Sequence, residues 1–153
     1  ALGQIDDFEF FRTAEALANA RVAIMTNGPG PVAMPPVKRL RDAGVTVFAG
    51  SDNIRDAWSP YGDGDLLRRA QIIGYRQEFL ADPDLVHAFA MVTEIPAAVL
   101  GVTHYGLGPG RRADIVLLDS GSVPEAVAGA PRGRTVIKRG RLVALEGVLT
   151  PRD

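Results

Sequence analysis

The chain has 153 residues, enough for one ordinary domain, and its hydrophobic content of 46% is typical of a globular protein. Its 17 basic and 18 acidic residues leave a net charge of −1, which argues against a nucleic-acid or anionic-membrane surface. The absence of cysteine excludes disulfides and thiolate metal sites and is compatible with the cytoplasmic location that we expect.

Neither a signal-peptide core nor an apolar run of the roughly 20 residues needed to span a membrane is present.

Helices and short strands alternate in the first third of the chain. Asp6 is predicted to cap a helix from Asp7 to about Asn19, with a core-facing stripe of Phe10, Phe11, Ala14, Leu17 and Ala18. A strand at 21–26, a helix from Pro35-Pro36 and a strand at 45–49 follow. This order predicts parallel strands joined by crossover helices.

The loops after the two strands contain the candidate functional residues. Asn27 ends the first strand, where a turn role is favoured and contact with a substrate is the alternative. The Gly-Pro loop at 28–31 lacks the lysine and hydroxyl residue of a P-loop, so phosphate binding is not expected. Asp52 follows the second strand directly, at the edge where parallel α/β sheets place their chemistry. From composition alone, a turn in which Asp52 or Asn53 bonds its own backbone is the more frequent case.

The remainder of the chain is predicted to begin with helices and end in a hairpin. Asp65 is expected to cap a helix that runs to about Leu80, and further helices are expected from Asp82 and at 93–101. A strand at 113–119 precedes a connection at 120–133 and a hairpin of strands at 134–138 and 141–145. The two histidines, His87 and His104, form no metal-ligand spacing, and His87 is interpreted as a packed or solvated helix residue.

The loop after the second strand resembles a known signature. It reads Ser-Asp-Asn-Ile-Arg-Asp-Ala-Trp at 51–58 and Pro-Tyr-Gly-Asp-Gly-Asp at 60–65. This is similar to the loop after the eighth barrel strand of cytosine-deaminase-like members of the amidohydrolase superfamily, which remove amino or alkylamino groups from pyrimidine and triazine rings. A second, independent similarity is the Thr…Pro-Ala…Leu-Gly helix at 93–101, which leads through a glycine-rich turn into Ala-Asp-Ile-Val-Leu-Leu-Asp at 113–119.

The resemblance implies roles for particular residues. Asp52 would correspond to the family's metal-ligand and proton-shuttle aspartate. Asn53 and Trp58 would lie at the substrate pocket, with Asn27 as a further contact by its position; a core role for Trp58 is the alternative. Authentic cytosine deaminases tend to have a second acid where this chain has Asn53. That difference argues against cytosine itself as the substrate.

The resemblance also implies an α/β fold made of the end of a larger pattern. Residues 1–105 would form the C-terminal part of a metal-dependent hydrolase (β/α) barrel, and residues 106–153 would add strands of the adjoining β-sandwich. The strands at 21–26 and 45–49 would be barrel strands seven and eight, and Ala1-Leu2-Gly3 would follow the histidine that ends strand six. The other metal ligands, the catalytic histidine and the catalytic glutamate of the family lie upstream of this part.

The expected cofactor and partners follow from that position in the pattern. A divalent metal, iron or zinc, is implied for the complete enzyme, and this chain alone is expected to hold none tightly. The expected partners are a small heterocyclic substrate and either the missing N-terminal part of the barrel or a second copy of the chain. Neither nucleic acid nor membrane is expected. The alternative is a non-catalytic α/β fragment that folds or associates without chemistry of its own.

Overall fold

A computed structural model describes residue 2, residues 4–30 and residues 33–151 of the chain. Ala1 and Gly3, predicted to follow strand six, and Pro31 of the Gly-Pro loop lie outside these residues. The elements in chain order are α1 (Asp7–Asn19), β1 (Ile24–Thr26), α2 (Val37–Asp42), β2 (Val47–Ala49), α3 (Leu66–Arg76), α4 (Asp82–Ala90), α5 (Glu94–Val99), β3 (Ile115–Leu118), α6 (Val123–Gly129), β4 (Arg134–Lys138), β5 (Arg141–Leu145) and β6 (Val148–Leu149). The predicted α/β fold class is confirmed.

The first two strands form a parallel pair, as the alternation of elements predicts. Their register places Ile24 opposite Val47 and Thr26 opposite Ala49. Both strands therefore end at the same edge, and Gly50 N donates to Thr26 O over 3.1 Å just beyond it. The loops that start at residues 27 and 50 leave the sheet side by side.

Two predicted boundaries are wrong for the same physical reason. Arg21 has a φ of 54°, and Val22 N bonds back to Leu17 O, so α1 ends in a left-handed cap and β1 starts only at Ile24. Glu78 has a φ of 53°, and Phe79 N bonds back to Gly74 O, so α3 ends at Arg76 instead of near Leu80. A left-handed cap without glycine gives no clear signal in the sequence.

The helix caps that the sequence predicts at Asp6 and Asp65 are present. Asp6 Oδ1 accepts a hydrogen bond from Glu9 N over 2.8 Å, and Asp65 Oδ1 accepts from Leu67 N over 3.0 Å. The stripe predicted for α1 is only partly right, because Phe10 is fully buried whereas Phe11 is 60% exposed. Consecutive helix residues point about 100° apart, so both cannot face the same core.

The core lies between the parallel strands and the helices that surround them. The prediction of a connection at 120–133 is wrong, because helix α6 lies within it. Ser122 Oγ accepts a hydrogen bond from Glu125 N at the start of this helix, and α6 packs against α3 and α4. Its small residues resemble loop composition, although they let the helix approach its neighbours closely. The largest fully buried side chains are Phe10, Leu40, Ile73, Met91, Val37 and Val127.

The last four strands form a separate antiparallel sheet in the order β3-β4-β5-β6. The predicted hairpin is confirmed: Arg139 and Gly140 both have positive φ, 51° and 77°, as a tight two-residue turn requires. β6 was not predicted, because its two residues are too short to produce an alternating pattern. No helix in the described part of the chain has the length and apolar character to cross a membrane.

Candidate active site

Asn27 and Asp52 meet at the carboxyl end of the parallel strands. Asn27 follows β1 and Asp52 stands three residues after β2. Asn27 Nδ2 donates a hydrogen bond of 2.7 Å to Asp52 Oδ2, although the two residues are 25 positions apart in the chain. The side chain of Asn27 is therefore directed at the carboxylate, a geometry that neither the turn role nor the substrate role predicted for it includes.

The backbone and the carboxylate of Asp52 each have a feature that is common in functional residues. Its φ of 54° lies in the left-handed region, where a residue other than glycine costs about 1 kcal/mol or more. Its side chain is exposed, and within the described residues Asp52 Oδ1 accepts no hydrogen bond. One carboxylate oxygen is fixed by Asn27, and the other is open to a metal ion or a proton.

Arg69, which the sequence analysis missed, joins the two strand ends. This α3 residue is only 9% exposed. Its Nη1 donates to Asn27 O over 2.7 Å and its Nη2 donates to Ser51 O over 2.9 Å. Burial lowers the pKa of the guanidinium, while the negative charges of Asp52 and Asp63 act in the opposite direction. A buried cation therefore lies behind the open carboxylate.

A signal for Arg69 exists in the helical periodicity. Arg69 lies four residues before the fully buried Ile73, so it falls on the inward face of α3 and not on its solvated face. A charged residue at an inward position needs partners, because an unpaired buried charge is costly. The adjacent Arg68 faces outward and binds Asp63 over 2.8 Å.

The loop after β1 is also held by α3. Arg76 Nη1 donates to Gly28 O over 2.6 Å and to Gly30 O over 3.2 Å. Gly28 has a φ of 82°, and a Cβ added to it would lie 3.0 Å from Ile73 Cγ1. Only glycine fits this backbone so close to the helix.

Asp56 organises the loop that follows Asp52. Its Oδ2 accepts from Asn53 Nδ2 over 2.6 Å, and its Oδ1 accepts from Trp58 N and Ser59 N over 2.9 and 3.0 Å. The bond from Asn53 is the main reason why the pKa of Asp56 is lowered, followed by the bond from Trp58 N. The bond to Asp56 orients the Asn53 amide, and within the described residues Asn53 Oδ1 accepts no hydrogen bond.

Trp58 lies outside the core. It is 84% exposed, and Tyr61 of the same loop is 79% exposed. The loop is closed beneath these rings by hydrogen bonds from Arg55 N to Tyr61 O and from Asp56 N to Ser59 O. Two aromatic surfaces are thus presented on a hydrogen-bonded loop that begins at Asp52.

The described residues do not enclose a complete site around Asp52. No three His, Cys, Asp or Glu side chains among them are grouped closely enough to hold a metal ion. His104 is exposed, and His87 lines a cavity of about 650 Å³ that does not include Asp52. A larger cleft, of about 770 Å³, lies between the helices and the second sheet and also does not include it. Asp52 can therefore offer one ligand, which alone does not make a metal site.

Comparison with known proteins gives a consistent result over most of the chain. A sequence model of the amidohydrolase family matches residues 5–144. N-isopropylammelide isopropyl amidohydrolase of Pseudomonas sp. (strain ADP) is 38% identical over 120 residues, which cover 78% of this chain and 30% of that protein. These matches agree with the similarity found at 51–65 and 93–119.

Two crystal structures have the same fold over nearly the whole chain. N-isopropylammelide isopropylaminohydrolase from Burkholderia multivorans ATCC 17616 matches with a TM-score of 0.90 and 41% identity, covering 97% of this chain and 38% of that one. 5-Methylcytosine deaminase from Klebsiella pneumoniae, liganded with 5-fluorocytosine, matches with a TM-score of 0.81 and 25% identity, covering 100% of this chain and 40% of that one. This chain spans 30% to 40% of the length of these three proteins. The predicted resemblance to cytosine-deaminase-like amidohydrolases is confirmed.

Proposed function

This chain belongs to the amidohydrolase family, and from that membership we propose that it supplies the C-terminal part of a metal-dependent hydrolase. The proposed reaction removes an exocyclic amino or alkylamino group from a pyrimidine- or triazine-like ring. The observation that supports it best is the arrangement of Asp52, which stands at the carboxyl end of β2 with Oδ2 bonded to Asn27. Parallel α/β enzymes place their reacting groups at this edge.

Asp52 has two roles in the proposed mechanism. It would be one ligand of a divalent iron or zinc ion, which when bound lowers the pKa of a water molecule toward neutrality. The Asp52 carboxylate accepts a proton from the attacking water and returns it to the nitrogen that leaves. A C–O bond forms at the ring carbon, the exocyclic C–N bond breaks, and the amine departs with that proton. The bond from Asn27 keeps the carboxylate in one orientation through both transfers.

Asn53 and Trp58 would bind the ring. The Asn53 amide is oriented by the bond from its Nδ2 to Asp56, and its Oδ1 would accept a hydrogen bond from a ring N–H. The exposed indole of Trp58 offers a flat apolar surface for an aromatic ring. An asparagine in place of a second acid argues against cytosine. The two relatives named for N-isopropylammelide are 38% and 41% identical, against 25% for the 5-methylcytosine deaminase, which favours an alkylamino-substituted ring.

The missing part of the site is proposed to come from an N-terminal segment of the kind that the longer relatives contain. With residues 1–105 as the end of a barrel and residues 106–153 as part of a β-sandwich, that segment would complete both units and contribute the remaining metal ligands. The completed enzyme is proposed to act in the cytoplasm on a small molecule. The second candidate, a non-catalytic fragment that associates with itself, is favoured by the absence of a metal-ligand cluster within the described residues.

The test uses the completed enzyme, meaning this chain preceded by an N-terminal segment taken from its own gene or from the Burkholderia relative. Turnover is measured on amino- and alkylamino-substituted triazines and pyrimidines, with cyclic amides and ureas as the comparison. We expect turnover on an alkylamino-substituted ring. Fast cleavage of cyclic amides with none of the ring amines would overturn the substrate class, and no turnover together with no bound metal would favour the non-catalytic fragment.

Trp58→Ala tests the ring-binding role within that assay. Trp58 is 84% exposed, so its removal leaves no cavity and the melting temperature should change little. Loss of a flat contact surface should raise KM for the ring about tenfold, as expected for about 1.4 kcal/mol of lost packing. Tyr61→Ala in the same loop is the matched control for nonspecific loosening. An unchanged KM in Trp58→Ala would remove Trp58 from the substrate site.

A further inference from the structure

We propose that Arg69 is the positioning residue for Asp52: its buried guanidinium fixes the two strand ends between which the carboxylate is held. The inference rests on the proposed function, because it takes Asp52 to be a metal ligand and proton carrier. It extends that function to a residue on α3 that touches neither the substrate nor the reacting atoms.

The guanidinium of Arg69 bridges β1 and β2 at their carboxyl ends. Its two terminal nitrogens donate to Asn27 O and Ser51 O, over 2.7 and 2.9 Å, and the residue is 9% exposed. Two parallel donors at a fixed spacing are what a planar guanidinium provides and what a lysine ammonium does not. The side chain therefore sets the distance between the two loops as well as binding each one.

Both backbone positions that Arg69 holds act directly on Asp52. Ser51 immediately precedes Asp52, whose φ of 54° is unfavourable for a residue with a side chain. Asn27 donates its side-chain amide to Asp52 Oδ2. A single side chain thus fixes the backbone before Asp52 and the residue that orients its carboxylate. Without it, the left-handed backbone and the Asn27 contact would both lose their support.

The charge of Arg69 supports the same assignment. Its two hydrogen-bond acceptors are neutral carbonyls, so the cost of burying the cation is offset by nearby carboxylates, and Asp52 is the stronger of the two that act on it. The positive charge of Arg69 therefore lies near the carboxylate that is proposed to bind the metal. Outer partners of metal ligands commonly affect metal affinity or activity 10- to 100-fold.

The experiment compares Arg69→Lys, Arg69→Met and Asp52→Ala with the wild type in the completed enzyme loaded with zinc. Arg68→Met is the matched control, because Arg68 is the adjacent residue of α3 and pairs with Asp63 at the surface. The measurements are the rate of zinc loss to excess chelator, kcat, KM and the melting temperature, with kinetics taken well below the lowest melt. We expect both Arg69 variants to lose zinc at least about tenfold faster and to lower kcat about 10- to 100-fold, with KM changed less than about threefold.

The outcomes separate the inference from the function on which it rests. If Asp52→Ala keeps zinc as tightly as the wild type, Asp52 is not a ligand and the proposed function fails. If Asp52→Ala loses zinc but both Arg69 variants retain it with normal kcat, the inference is overturned and the function stands. If the Arg69 variants have a lower melting temperature but normal kcat and normal zinc retention, the inference is likewise overturned, and Arg69 contributes to stability only. If Arg69→Lys alone behaved like the wild type, the two parallel donors of the guanidinium would not be required.

Discussion

At the scale of single residues, Asp52 and Asp56 are two carboxylates in one loop with different surroundings. Asp52 accepts one hydrogen bond, from Asn27, and is otherwise open among the described residues. Asp56 accepts three, from Asn53, Trp58 and Ser59, and its pKa is lowered by them. The first arrangement suits a group that exchanges partners during a reaction. The second suits a group that holds a loop in place.

We predict that Asp52→Asn in the completed enzyme lowers kcat by roughly 10²–10⁴, because an amide cannot accept and return a proton. Its melting temperature should change little, since Asp52 is exposed and asparagine has nearly the same shape. Asp56→Asn is the paired variant: it should keep the metal and raise KM, because the loop that contains Asn53 and Trp58 loosens. Steady-state kinetics and thermal melts of both variants test whether the two carboxylates have these different roles. Near-normal turnover in Asp52→Asn would make Asp52 a turn residue.

The local features of the candidate site could be predicted from the sequence, whereas the contacts between residues far apart in the chain could not. The position of Asp52 after a buried strand and the cap at Asp65 are local patterns, and each appears as predicted. The bond between Asn27 and Asp52 requires two loops to leave one sheet edge side by side, which no local pattern specifies. Arg69 is outside the prediction because an arginine next to Arg68 on a helix is ordinarily solvated.

At the scale of the elements, α4 contains a titratable residue that burial makes sensitive to pH. His87 Nε2 is buried and has no hydrogen-bond partner among the described residues. Burial lowers the pKa of His87 from 6.5, the positive charge of Arg41 on α2 adds to this, and Asp84 on its own helix opposes it. Glu94 of α5 lines the same cavity. The folded state therefore favours neutral His87.

This lowered pKa predicts the sign of a pH effect on stability. The unfolded chain takes up a proton near pH 6.5, before folded His87 does, so stability is full above that value. It declines as the pH falls from about 6.5 toward the lowered pKa of the folded state. Urea denaturation at pH 7.5 and 5.5 should show a larger drop for the wild type than for His87→Gln. Equal drops in the two proteins would assign the pH effect to other groups.

An ion pair connects the start of α3 to β4 of the second sheet. Arg134 donates from both terminal nitrogens to the two oxygens of Asp65, over 2.8 and 2.7 Å, and both side chains are largely buried. Asp65 is at the same time the cap of α3. The pair joins the two proposed units, residues 1–105 and 106–153, at the base of the loop that begins with Asp52.

We predict that Asp65→Ala lowers the free energy of unfolding by about 3 kcal/mol. The variant loses the helix cap, and it leaves Arg134 largely buried without its carboxylate. Asp63→Ala is the matched control, because its pair with Arg68 is 43% and 47% exposed and should contribute about 1 kcal/mol or less. Chemical denaturation of both variants provides the comparison. Equal losses would mean that the contact between Asp65 and Arg134 adds nothing beyond a surface ion pair.

At the scale of the whole molecule, the parallel strands end in candidate site residues around which no cluster of metal ligands is found in the described part of the chain. The parallel pair β1–β2 presents Asp52, Asn53 and Trp58 at one edge, while no cluster of three potential ligands exists among the described residues. Within the described residues this sheet has two strands, and Met25 of β1 is 53% exposed. Both features are explained together if an N-terminal segment supplies the neighbouring strands and the other ligands.

This explanation predicts a difference between the chain alone and the completed enzyme. A single carboxylate binds a divalent ion weakly, because structural and catalytic sites use three or more protein ligands held in one geometry. After exposure to zinc or iron and dialysis against a chelator, the chain alone should retain well under one metal ion, and the completed enzyme should retain about one. Asp52→Ala should abolish retention in the completed enzyme and change nothing in the chain alone. Stoichiometric, chelator-resistant metal on the chain alone would mean that its own residues form the site, and the need for an N-terminal segment would disappear.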